Sequence, residues 1–505
     1  MAILRDYLLE AVRTHAHRTA LVVDGTTWTY AELADASARL AGHLQKVGVA
    51  AGSPVALLLG NRAEYVVADL ALATIGAAKV PLNGMLSAEE QAFIIQDSGA
   101  EVCVVEAARL DAVEQARSLG ADPSLVIVDA HGPGSWTEAV AHPAAFAPTS
   151  PADDDVALVM YTGGTTGRPK GVVHTQAGMA ANLLSHLVEM ELRGDDVLLL
   201  TSPLPHSAGF LLQAALAKGA TTFLENRFDP GVTLDRIQRD GVTYLFLVPT
   251  MIYRLLDAAA ARRGLTTSSL RTILYGAAPI TLDRLAQGLE LFGPVFVQLY
   301  AQSEAPNFLT RLRRDDHRTD TGHVQLLRSC GQPVVMAQVR VVRDDGGDCG
   351  PGEVGEVTAR SPYTMTGYLG RPAETAEALR DGWLHTGDLG YVDEQGYLYL
   401  VDRKKDMIIT GGLNVYSSEV EHVIAQLPGV REVAVAGIPH ADWGEAVVAF
   451  VVAAAGVTVA DVEAHCRARL TSYKRPKAVA LVPALPTTAV GKIDKKALRA
   501  GWDGW

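Results

Sequence analysis

The residues best suited to chemistry gather in one stretch, Tyr161-Thr-Gly-Gly-Thr-Thr-Gly-Arg-Pro-Lys170-Gly171. Gly163, Gly164 and Gly167 let backbone N–H groups converge on one point, which makes a nest for phosphate oxygens. The hydroxyls of Thr162, Thr165 and Thr166 add donors, and Lys170 adds a charge. This is not the P-loop of kinases and GTPases, which needs Gly-Lys-Ser/Thr; here Lys170 stands between Pro169 and Gly171. A carboxylate beside a polyphosphate makes sense only with a hard cation between them. Glu304, in Tyr300-Ala-Gln-Ser303-Glu304, fits that description; taken alone it reads as a solvated surface acid. Gly276-Ala277-Ala278 are small enough for a flat ring to approach the backbone. Asp388, in His385-Thr-Gly-Asp388, suits ribose hydroxyls and equally suits a turn. His206, just after the two prolines of Ser202-Pro-Leu-Pro-His206, is expected in an extended segment. A purely structural role is as open to it as a place in a site.

Together these segments resemble the adenylate-forming superfamily of acyl-CoA synthetases, aryl-CoA ligases, luciferases and peptide-synthetase adenylation domains. The usual phosphate signature there is Thr-Ser-Gly-Thr-Thr-Gly-x-Pro-Lys-Gly, and Gly163 stands where Ser is common. Tyr300 to Glu304 resembles the Tyr-Gly-x-Thr-Glu motif. Ala301 replaces its glycine, so φ is expected to be negative there, and Ser303 keeps the hydroxyl of its threonine. Asp402-Arg403-Lys404-Lys405-Asp406, Gly411-Gly412 and Pro486 to Lys492 complete the resemblance, with Ser417 where proline is common.

The resemblance implies an α/β fold: a large layered N-terminal adenylation domain (1–402), a hinge (403–405) and a small mobile α/β lid (406–505). It implies ATP, Mg²⁺ and CoA as cofactors. The loop from Thr162 to Gly167, with Lys170, takes the phosphates. Gly276, Ala277 and Ala278 face adenine, and Tyr300 stacks on it. Ser303 binds near the α-phosphate, Glu304 carries Mg²⁺, and Asp388 and Arg403 hold ribose. Lys492 aligns the attacking carboxylate, Lys405 absorbs the hinge torsion, and Gly411-Gly412 lie along the pantetheine arm. His206, Pro205, Ser207, Leu299 and Ala305 border the acyl group. The expected activity is ATP-dependent conversion of a carboxylic acid to an acyl-adenylate with release of pyrophosphate, then transfer to CoA. Leu299, Pro205 and the rim Ala305-Pro306-Asn307 suggest a short apolar pocket for an aryl or medium-length acid. Alternatives are another oxyanion, transfer to an amine or carrier protein, a luciferase-like oxygenase, or an inactive ATP-binding regulatory protein. Intact Glu304, Asp388 and Lys492 argue against the last.

The elements that must position these residues follow an α/β rhythm. Val156 to Tyr161 is an apolar run that reads as a buried strand leading into the phosphate loop. Thr29-Tyr-Ala-Glu32 reads as a capping box, with Leu33, Leu40, Leu44 and Val47 at helical spacing and Gly48 as the stop. Strands are expected over Val55 to Leu59, Tyr244 to Val248, Thr272 to Ala278 and Ala446 to Val452, and helices over Val66 to Ile75 and Val462 to Leu470. A chain of 505 residues exceeds one typical core. It is 48% apolar and 20% charged, a globular balance. The formal charge of −13 disfavours a nucleic-acid partner. Four scattered cysteines lack metal or disulfide spacing and suit a reducing cytoplasm. No apolar run approaches a membrane span, and the start lacks a signal-peptide core. A homodimer is the candidate assembly.

Overall fold

The computed structural model describes residues 2–504 apart from 142–145, 148, 163–167, 321 and 488–492. The described chain packs as two compact units. The larger comprises the chain up to Thr162 with Arg168–Val339 and Ala359–Leu384; the smaller comprises Arg340–Thr358 and the described part of His385–Trp505.

The larger unit holds two sheets. In the nine-stranded one, strands Phe296–Gln302, Thr272–Tyr275, Tyr244–Leu247 and Val197–Leu200 lie side by side. They are parallel and in register. Val197–Leu200 and Tyr244–Leu247 read as short continuous apolar runs, as strands buried on both faces do. Parallel register has a functional consequence. The segments that follow these strands, at Ser202, Val248, Gly276 and Ser303, all leave from one edge of the sheet. The carboxyl edge of parallel strands is where α/β folds bind ligands. In the seven-stranded sheet, Val156–Thr162, Ala78–Pro81, Pro54–Leu58 and Val102–Glu106 are parallel neighbours, and Lys170–Thr175 returns antiparallel to Val156–Thr162. Lys170 therefore stands opposite Thr162 at that sheet's own carboxyl edge. Helix Gln176–Glu189 touches strands of both sheets. Its N-cap Thr175 accepts from Gly178 N–H.

Local expectations meet the structure with few changes. Thr29 caps helix Tyr30–Lys46 with a reciprocal box to Glu32, whose Oε2 accepts from Thr29 N–H at 2.7 Å. Leu33, Leu40 and Leu44 are fully buried, but Val47 is 44% exposed. The helix ends at Lys46, one residue before Val47, and Gly48 turns away with φ +101°. The spacing thus overran the end of the helix. Val66 to Ile75 is the core of helix Ala63–Ile75, and Val462 to Leu470 overlaps Val459–Arg469. Among the described residues no helix is long and apolar enough to cross a membrane.

The smaller unit is built on the long hairpin Val430–His440 and Gly444–Ala453, with Ala478–Leu481 parallel to the second strand. Val435, Val447 and Val451 of that hairpin bury against helices Ser417–Ala425 and Val459–Arg469. Strand Leu398–Arg403 pairs antiparallel with Trp383–Val392.

Candidate active site

In the larger unit the expected residues converge. The carboxyl edges of the two sheets are tied together by buried amides. Asn61 donates to Ser202 and Glu225 carbonyls, both at 2.9 Å, and its Oδ1 accepts from Leu204 N–H. This pins the segment that carries His206. That segment is a wide helical turn, Leu204–Ala208, and not the extended stretch expected from its prolines; His206 alone keeps an extended backbone, φ −117° and ψ −150°. Pro205 is buried in the turn, and His206 and Ser207 are half-buried. Asn83 sets the ring of His206. Its Oδ1 accepts from Met85 N–H at 2.9 Å, so its amide nitrogen faces His206 Nε2, at 3.0 Å. Nε2 is then the acceptor, and the ring proton sits on Nδ1.

Ser207 is held from the other side. Asn307, at φ +65°, donates to the Ser207 carbonyl at 3.2 Å and to His186 Nε2 at 2.8 Å. His186 Nδ1 donates in turn to the Asn182 carbonyl at 2.7 Å. Burial pushes the His186 imidazole down to about 4, so the ring is neutral, as this relay requires. Neither Asn83 nor His186 has a sequence signal of its own. Each looks like an ordinary polar residue until the sheets are assembled.

Around strand Lys170–Thr175, Lys170 and Glu304 come together through a residue the sequence did not suggest. Tyr368 OH donates to Glu304 Oε1 at 2.8 Å, and the Lys170 ammonium lies 5.0 Å from the centre of the Tyr368 ring. Burial, with Glu304 beside it, raises the Tyr368 phenol well above its ordinary value, so it stays a donor. His174, on the Lys170 strand, donates from Nε2 to the Ser303 carbonyl at 2.9 Å, and burial lowers its pKa to about 4. Gly163, Gly164, Thr165, Thr166 and Gly167 lie outside the described residues, as does Lys492. Thr162 closes the strand before the loop.

Gly276 follows its strand directly. A Cβ there would lie 2.5 Å from the Leu299 carbonyl oxygen and 2.8 Å from Leu299 Cδ1, so Leu299 fills the space a side chain would take. Ala277, at φ +66°, and Ala278 are exposed just beyond. Tyr300 and Ala305 are buried, and Ala301 keeps a negative φ.

The smaller unit carries the other expected residues. Asp388 is buried opposite Arg403, whose Nε lies 2.9 Å from its Oδ1. Lys405 is exposed two residues on. Gly411 and Gly412, at φ +57° and +77°, form the two-residue turn between Ile408–Thr410 and Leu413–Val415, a turn that needs positive φ at both places. Gly411 N–H donates to Trp443 O at 2.9 Å, and Trp443 stacks on His440 with ring centres 4.4 Å apart. Ser417, in place of proline, opens helix Ser417–Ala425, and its N–H and hydroxyl donate to the Asp402 carboxylate. The serine gains a hydrogen bond there that proline, without an N–H, could not make.

The model of the AMP-binding enzyme family matches residues 8–369, and that of the AMP-binding enzyme C-terminal domain matches 419–492. The chain belongs to the AMP-binding enzyme family. It is 39% identical to a feruloyl-CoA synthase of an Amycolatopsis species over 98% of each chain. Among solved structures of AMP-binding enzymes, ATP-bound MatB from Rhodopseudomonas palustris superposes with a TM-score of 0.90 at 31% identity, covering 99% of each chain. The amide bond synthetase McbA from Marinactinospora thermotolerans gives 0.89 at 34% identity, over 98% of this chain and 99% of that one. A large N-terminal α/β region followed by a smaller C-terminal domain is the architecture shared with these AMP-binding enzymes.

Proposed function

We propose that the protein is an AMP-forming acid–thiol ligase that activates an aryl or medium-length carboxylic acid with ATP and passes the acyl group to CoA. The observation that carries this reading is the meeting of Lys170 and Glu304 at Tyr368, beside the edge where the glycine-rich loop begins. Likeness to a feruloyl-CoA synthase along the whole chain supports both the CoA acceptor and an aryl acid.

A carboxylate is a poor electrophile. Its oxygen attacks the α-phosphorus of ATP, the bond to the bridging oxygen breaks, and pyrophosphate leaves. A thiol sulfur then attacks the acyl carbon, and AMP departs. Negative charge spreads over phosphate oxygens in the first step, and Lys170 and the loop N–H groups offset it. Glu304 fits a hard cation. Tyr368 occupies one carboxylate oxygen and leaves the other, and among the described residues no group of three or more His, Cys, Asp and Glu forms a closed metal cage. Mg²⁺ held by one carboxylate and the phosphates is the arrangement such sites use, and it supplies neutralising charge. Lys492 holds the attacking carboxylate in line. Asp388 and Arg403 take the ribose. The Gly411-Gly412 turn, open on its outer side, lies along the thiol arm. Lys405 is the pivot between the two half-reactions. His206 and Leu299 border the acyl group. The four cysteines carry thiols and not disulfides, which suits a reducing cytoplasm.

A second reading, transfer to an amine, is favoured by the likeness to the amide bond synthetase McbA. One experiment separates the two: pyrophosphate release across an acid panel, with and without CoA, with the acyl product identified. Thioester formation from at least one aryl acid is expected. Pyrophosphate release with no thioester, and amide formed when an amine is added, moves the assignment to the second reading. No release from any acid rejects both.

A further inference from the structure

We infer that Tyr368 is a spacer that keeps the phosphate-binding lysine and the cation-binding glutamate from neutralising each other. The inference rests on the roles proposed above for Lys170 and Glu304. These two opposite charges approach one point from different sheets, and among the described residues no ion pair joins them. Each is satisfied instead by a different part of one neutral side chain. The phenol hydroxyl occupies Glu304 Oε1, and the ring face lies under the Lys170 ammonium. A ring face attracts an ammonium less strongly than a carboxylate does, so Lys170 stays available to an incoming phosphate. A single donated hydrogen bond leaves the second Glu304 oxygen for a cation.

The backbone around Tyr368 is built to hold this place. Gly367–Tyr368 pairs antiparallel with Val172 and Val173 of the Lys170 strand, which sets Tyr368 diagonally across from Lys170 on one face. Leu369 N–H donates to Gly171 O at 2.8 Å, Thr366 N–H to Val173 O at 2.9 Å, and Met365 N–H to Glu304 O at 2.7 Å. Tyr368 N–H itself donates to Thr375 Oγ1 at 2.9 Å. The segment from Met365 to Leu369 thus bridges the phosphate strand and the glutamate turn, with the ring set between the two charges. Tyr368 is a positioning residue, acting through Lys170 and Glu304.

The test is calorimetric binding of α,β-methylene-ATP across a Mg²⁺ series, which requires no turnover. Tyr368→Phe keeps the ring and removes the hydroxyl. It is expected to raise the Mg²⁺ needed for half-maximal binding about tenfold, the weight of a hydrogen bond to a charged group, and to leave Mg²⁺-free binding unchanged. Tyr368→Leu removes the ring as well, so Lys170 turns to Glu304 and Mg²⁺-free nucleotide binding weakens about tenfold. Adding Glu304→Gln to Tyr368→Leu restores that Mg²⁺-free binding, which no merely structural role would do. Wild-type Mg²⁺ dependence in Tyr368→Phe, or no restoration in the double variant, overturns the spacer. If Tyr368→Leu does not fold, as thermal melting reports, Tyr368→Phe decides alone. Glu304→Gln by itself separates the two levels. If it leaves the Mg²⁺ dependence unchanged, the cation assignment of Glu304 falls and the spacer with it. If it shifts that dependence while Tyr368→Phe does not, only the spacer falls.

Discussion

The phosphate edge of the larger unit and the glycine turn of the smaller one handle the same problem in opposite ways. At the edge where Lys170 and Glu304 meet, side chains and backbone carbonyls among the described residues are held by neighbours far along the chain. Asn83 holds His206, Asn307 holds Ser207, His174 holds the Ser303 carbonyl, and Tyr368 holds both Lys170 and Glu304. At the turn, Gly411 and Gly412 have nothing within 4 Å of where a Cβ would sit, and the flanking Ile409 and Leu413 are about half exposed. The first arrangement fixes charges before the ligand arrives, which is what electrostatic stabilisation of a transition state needs. The second leaves a backbone surface open along which an extended ligand can lie. Preorganisation and openness are thus divided between two parts of one chain, and each should fail in its own way.

The largest effects should come from removing the lysines. Lys170→Ala and Lys492→Ala are each expected to lower carboxylate-dependent exchange of pyrophosphate into ATP by roughly 10²–10³-fold, the range for losing one oriented donor. Lys492→Ala should leave thioester formation from supplied acyl-adenylate largely intact. An equal loss in both half-reactions, in a folded variant, would erase the division of labour drawn here. Next comes acid sensitivity of the larger unit. His174, His186 and His317, the last buried with its Nε2 3.0 Å from the Tyr275 hydroxyl, are each lowered by burial from 6.5 to about 4. The unfolded chain therefore binds more protons than the folded one between those values. The stability these rings contribute is full above pH 6.5 and is lost as pH falls towards about 4. Urea midpoints followed by fluorescence should drop across that window; a flat profile would count against the neutral histidine relay.

Two glycines sharpen the contrast further. Gly276→Ala drives a Cβ against the Leu299 backbone and should cost about 1–3 kcal/mol of stability by overpacking, with a lower melting temperature. Gly411→Ala meets no atom and pays only for its positive φ, about 1–2 kcal/mol. It should slow thioester formation while pyrophosphate exchange continues. A Gly411→Ala enzyme that loses exchange instead would place the turn in the first half-reaction. The most local effect concerns the acyl group. Leu299→Gly opens the space over Gly276 and should shift the kcat/KM ratio towards longer acids by roughly 1–3 kcal/mol. An unchanged ranking of acids would show that Leu299 packs the sheet and does not border the substrate.

The sequence by itself determined what is local. The apolar run before the phosphate loop is strand Val156–Thr162, and the Thr29 box caps its helix. Such features depend on neighbours within a turn or two, so residue type and spacing report them. Where a periodic pattern ended, it reported less well. Val47 continues the helical spacing, yet it lies past the last turn and is exposed. Only the tertiary structure decided which side chains meet. Tyr368 lies 64 residues from Glu304, and Asn83 lies 123 from His206. Nothing around either residue marks it as special. Asn83 reaches the site because parallel strands deliver distant loops to one edge, and Tyr368 because its short strand pairs antiparallel with the Lys170 strand; strand order is a property of the assembled sheets, to which short-range patterns are blind.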